Sequence, residues 1–146
     1  MSYGWLLTLH LLAAVAFAGT VFFEVVLLAG ARRQVPPQEM RTLEQALGTR
    51  AVAVMPWVLL VLYTAGAGLA WQHRAVLAAP LASSMGTLLA LKIALALSVL
   101  AHFFTAMRWR RRGALNDKRS HRLHLSVFCH VLAIVLLAKA MFYLRW

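Results

Sequence analysis

Six titratable side chains stand inside stretches of the chain that are otherwise apolar: His10, Glu24, Lys92, His102, His130 and Lys139. A charged group in hydrocarbon costs about 2.5–3.5 kcal/mol even on insertion scales. Such residues are therefore expected to face each other or a shared ligand. Their types suit particular chemistry. A neutral imidazole is a good axial ligand for haem iron. A lysine that has given up its proton offers an amine lone pair. A histidine with a glutamate binds a metal ion or relays protons.

Depth and helical phase sort these residues into layers. His10 and Lys92 stand near the outer ends of their stretches, and His102, His130 and Glu24 near the inner ends. At about 100° per residue, His10 and Glu24 differ by about 40°, and Lys92 and His102 by about 80°, so each pair can share a broad face. His130 and Lys139 differ by about 180°, which sends Lys139 outward to snorkel near its helix end. On depth, His102 and His130 form a second cofactor site, or a small metal site with Glu24; adjacent antiparallel helices leave little room for a haem between them. The competing structural roles are hydrogen bonding for His10 and Lys92, packing for His102 and His130, and charge pairing of Glu24 with Arg32 or with a buried cation. His73, His121 and His124 read as interfacial.

The elements that carry these residues follow from hydropathy. Of 146 residues, 62% are hydrophobic and 13% charged, where soluble domains hold about 25% charged residues. The sequence predicts an all-α fold: a polytopic membrane four-helix bundle in a single transmembrane domain, with helices at about 3–31, 51–71, 86–108 and 122–144. Each span has roughly 20 apolar residues, enough for a bilayer core of about 30 Å. Ala16-Phe17-Ala18 resembles a signal-peptidase site, but no basic segment precedes it and the apolar run continues past it; a membrane helix is expected there. Pro36-Pro37 followed by Gln38-Glu39 reads as the start of a short surface helix with Leu43 and Leu47 on one side. Pro56 is expected to kink the second span or sit in its first turn, and Gly66 and Gly68 to allow close helix packing.

Charge sets the orientation. Arg32, Arg33, Arg41 and Arg50 fall in one connection, and Arg108, Arg110, Arg111, Arg112, Lys118, Arg119 and Arg122 in another. Concentrated between apolar spans, this is the positive-inside pattern rather than a nucleic-acid surface. Both connections are expected inside and both termini outside, in a bacterial inner membrane with periplasmic ends. Tyr3, Trp5, Trp71, Tyr143 and Trp146 then fall at outer span ends, and Trp57 and Trp109 at inner ones, as an interfacial belt. The single cysteine, Cys129, excludes an internal disulfide and reads as a small packing residue. The methionines form no MxxM copper ladder.

Leu9-His10-Leu11-Leu12 with Ala18-Gly19, Met55-Pro56, and Leu91-Lys92-Ile93 with the later His102-Phe103-Phe104 resemble the HemJ-type protoporphyrinogen oxidases, within a wider group that includes copper-resistance protein D-like (CopD-like) membrane proteins. The resemblance covers helices 1 to 3. It implies haem b held by His10 and Lys92. The family's Arg-x-x-Asn-Glu-x-Pro pattern is replaced here by Arg122-Leu123-His124-Leu125-Ser126-Val127-Phe128-Cys129-His130, so haem binding carries over better than porphyrinogen oxidation. The leading expectation is a haem-b membrane protein with an electron-transfer or oxidoreductase role, linked to a quinone or a tetrapyrrole. The alternatives are copper or other metal handling, and a small non-catalytic subunit of a respiratory complex. Homo-oligomer and larger complex both stay open.

Overall fold

The structure, a computed structural model, describes residues 2–114 and 116–144, without the side chain of Asp117. Every regular element among the described residues is a helix. Arg145 and Trp146, expected among the outer charges and aromatics, lie outside the described residues. The chain forms two compact units, Met1–Gln72 and His73–Trp146.

In the first unit α1 (Tyr3–Phe22) runs into a π-helical stretch (Phe23–Leu28) and a last turn, α2 (Ala29–Ala31). Together they make the rod Tyr3–Ala31, the span expected at 3–31. After a tight turn, α3 (Pro37–Gln72) returns antiparallel and packs along α1. The expected surface helix and second span are thus one helix of 36 residues. The polar half contains nothing that breaks a helix. Gly48 costs about 1 kcal/mol relative to alanine, and the Thr42 and Thr49 hydroxyls bond back to the carbonyls of Gln38 and Gln45. Pro56 lies in the helix interior rather than its first turn. It removes the donor that the Val52 carbonyl would otherwise receive, and α3 continues through it.

The face of α1 turned to α3 carries Leu6, His10, Ala13, Phe17 and Val21, at helical spacing; Ala13, Phe17 and Val21 are buried. Opposite them α3 buries Leu59 and Ala65. Gly66 and Gly68 allow the close approach anticipated from sequence. A Cβ on Gly66 would stand 3.1 Å from His10 Cε1, and one on Gly68 3.1 Å from Leu6 Cδ1.

In the second unit a short helix, α4 (Arg74–Ala78), and a 3-10 turn (Pro80–Ala82) lead into α5 (Ser84–Arg111), and α6 (Asp117–Tyr143) returns along it. Ser83 caps α5 by accepting from the Gly86 amide at 3.1 Å, and Thr87 donates to the Pro80 carbonyl at 2.9 Å. Gly86 is required there, because a Cβ would lie 2.7 Å from the Pro80 oxygen. Asn116 caps α6 by accepting from the Arg119 amide at 2.9 Å. Val99 and Val127 are buried between α5 and α6.

Among the described residues, four helices are long and apolar enough to cross a membrane. Large apolar side chains point outward: Trp5, Val15, Trp57 and Leu136 are 66–70% exposed. Water would penalise so much exposed apolar surface, and lipid does not. By length and composition this is a multi-pass membrane protein.

Candidate functional site

The most developed polar structure in the spans joins α5 to α6. His102 and His130, predicted to share a layer, have ring centroids 5.2 Å apart, tilted by 55°. Each ring is held at both nitrogens. His102 Nδ1 donates to the Ser98 carbonyl at 2.7 Å, and His130 Nδ1 donates to the Ser126 carbonyl at 2.7 Å. A neutral ring whose Nδ1 carries the proton has an unprotonated Nε2. Those nitrogens accept across the helix interface: Ser126 Oγ donates to His102 Nε2 at 3.0 Å, and Ser98 Oγ donates to His130 Nε2 at 3.1 Å. Two Ser-x-x-x-His repeats on antiparallel helices thus close a reciprocal ring of four hydrogen bonds. The tautomers are assigned from that network. The serines were not singled out in the sequence. The signal was present as the recurrence of serine one turn before a span histidine in both helices.

His10 shows the same local chemistry in the first unit. Its Nδ1 donates to the Leu62 carbonyl of α3 at 3.0 Å, with the glycine surface at Gly66 making room for the ring. The basic nitrogen is again Nε2. Metal-ligating histidines characteristically donate their second nitrogen to a backbone carbonyl or carboxylate, which fixes the ring and raises its basicity. His10, His102 and His130 all have this feature.

Lys92 is half-buried on α5, in the second unit, and has no hydrogen bond or ion pair among the described residues. Glu24 stands at the start of the π-helical stretch. It lines a groove of about 500 Å³ in the first unit, with Thr20, Phe23, Leu47, Arg50 and Val54 among its walls. Among the described residues the Arg32 guanidinium pairs with Glu44. Among the described residues no three of His, Cys, Asp and Glu gather as a metal cluster.

Cys129 differs from its expected packing role: it is exposed. Val127 is buried and His130 faces α5, so Cys129 falls on the outward side of α6. Lys139 is exposed near the end of α6, its Nζ 5.5 Å from the Tyr143 ring centroid, as the snorkelling argument requires. Comparison with family models, with curated proteins and with solved structures finds no match.

Proposed function

We propose that this chain binds haem b in a bacterial inner membrane and passes electrons through it, with both termini on the periplasmic side. His10, in the unit Met1–Gln72, would hold the haem through Nε2. The observation that carries this reading is the Leu62 carbonyl on His10 Nδ1. That contact fixes the ring in the tautomer a haem iron needs, at a span position where an imidazole has no solvent to serve. His102 and His130 are less suited, because each Nε2 already accepts from a serine. Bound haem supplies the redox chemistry, and the protein supplies ligands and a dry environment. The electron partner is a quinone or a tetrapyrrole.

The test is an absorption spectrum of the full chain purified in detergent from haem-replete cells, with iron and copper analysis. A Soret band and a reduced α-band are expected. His10→Ala should abolish both. A folded protein that stays colourless when haem is added, or that retains an unaltered spectrum in His10→Ala, overturns the assignment. A periplasm-dependent reporter fused after the last residue should be active; an inactive fusion reverses the orientation.

A further inference from the structure

The connection between α5 and α6 carries more positive charge than its neighbours balance. Arg108, Arg110, Arg111, Arg112, Lys118, Arg119 and Arg122 occur within fifteen positions that hold one acidic residue, Asp117. All seven are exposed. The connection between α1 and α3 is different: its four arginines are accompanied by Glu39 and Glu44, and Arg32 is neutralised by Glu44. In the α5–α6 connection, Arg108, Arg111, Arg112, Lys118 and Arg122 form no ion pair among the described residues.

The backbone concentrates this charge. Gly113, at φ 63°, ends α5 in a left-handed turn, with its amide on the Arg110 carbonyl at 3.1 Å and the Ala114 amide on the Trp109 carbonyl at 2.9 Å. Only residues 112–116 separate the helices, so the last turn of α5 and the first turns of α6 present their cations at one end of the hairpin. Arg119 is anchored, donating to the Ala114 carbonyl at 2.8 Å and lying 5.3 Å from the Trp109 ring centroid. Tryptophan prefers the headgroup level of a bilayer, so this contact sets the cluster at that depth. Helix stability does not account for the charges on α6, because cations in a first turn oppose the helix dipole.

We propose that this end of the α5–α6 hairpin binds anionic phospholipid headgroups, its cations engaging the phosphodiesters of several lipids in the adjoining leaflet. Arginine forks match phosphate oxygens in pairs, and clusters of four to eight basic residues beside a membrane helix have this affinity. The span end beneath the cluster and the tryptophan within it favour lipid over a soluble polyanion. This inference is independent of the haem assignment.

The test uses the full chain in nanodiscs of phosphatidylcholine mixed with phosphatidylglycerol, reading association of spin-labelled lipids of each headgroup. Wild type should prefer phosphatidylglycerol at least fivefold at low salt, about the factor one basic residue near the surface supplies. In 1 M salt, where the screening length is about 3 Å, the preference should approach unity. Arg111→Gln/Arg112→Gln/Lys118→Gln/Arg122→Gln should lose it, and Arg33→Gln/Arg41→Gln should keep it. Absence of preference in wild type, a preference indifferent to salt, or full retention in the quadruple variant overturns the proposal. So does displacement of the lipid by millimolar inorganic phosphate, which would mark a free-anion site, or by a short RNA, which would mark a nucleic-acid surface. If the quadruple variant does not fold, the wild-type salt series still decides.

Discussion

Replacing Ser98 with alanine removes one atom from the α5–α6 ring and leaves another in place. The hydroxyl that donates to His130 Nε2 at 3.1 Å is lost, while the backbone carbonyl that accepts from His102 Nδ1 at 2.7 Å is present in alanine as well. Ser98→Ala should therefore be coupled to the histidine on the opposite helix and not to the one a turn away on its own. Leaving a half-buried acceptor unsatisfied costs about 1–3 kcal/mol in proteins generally. Side-chain couplings measured in a membrane bundle average about 0.6 and reach about 1.7 kcal/mol. The expected loss for Ser98→Ala is about 1 kcal/mol. A double-mutant cycle with His130→Phe should return about 0.6–1.7 kcal/mol, and one with His102→Phe should return close to zero. Ser126 should show the mirror pattern, coupled to His102 through its hydroxyl and uncoupled from His130. The assay is reversible unfolding in mixed micelles at fixed detergent composition. Equal coupling of Ser98 to both histidines would refute the reciprocal ring, and so would a larger value for the same-helix pair.

Gly66→Ala should improve the intrinsic helicity of α3, by up to about 1 kcal/mol, yet its Cβ would meet His10 Cε1 at 3.1 Å and Nδ1 at 3.2 Å. The His10–Leu62 bond should weaken and haem retention on purification fall at least twofold, whereas Gly19→Ala, with nothing within 4 Å, should leave it unchanged. Cys129 lies on the outward side of α6, so Cys129→Ala should alter stability by no more than about 0.5 kcal/mol in the same unfolding assay. The Arg32–Glu44 pair is part-exposed, so Arg32→Gln/Glu44→Gln should cost between about 0 and 1 kcal/mol in the same unfolding assay.

The spans were legible because lipid demands long apolar helices and the chain supplies them without interruption. The rod at Tyr3–Ala31 starts and ends where the apolar run does. Hydropathy reports solubility in lipid, not helicity, and for that reason it placed the second span at 51 although the helix begins at Pro37. The π-helical stretch Phe23–Leu28 has an apolar composition like that of the helix around it and gave no signal. Depth brought His102 and His130 together correctly, but their serines were passed over, since an isolated serine in a helix carries little information. The partner of His10 is a backbone carbonyl, which no side chain announces; Gly66 was its indirect trace. Cys129 was misplaced because belonging to an apolar run says nothing about which side of the helix a residue occupies.

A membrane offers no hydrophobic gain for bringing two apolar helices together, so packing and polar contacts must select how they meet. Between α5 and α6 the fully buried apolar contribution is small, centred on Val99 and Val127. The ring supplies register. Its bonds join residue 98 to 130 and residue 102 to 126, and both are made in one alignment only. Sliding α6 by a turn in one direction sets His130 against Ala94 and His102 against Arg122; in the other it sets Ser98 against Ile134 and Ser126 against Ala106. Either slip loses both serine–histidine bonds at once, setting Ser98 against Ser126 in the first case and His102 against His130 in the second. A histidine committed to that task can ligate a metal only by opening the ring, at the cost of the alignment it maintains. That competition is the physical reason for assigning haem ligation to His10, whose Nδ1 contact with the Leu62 carbonyl orients the imidazole.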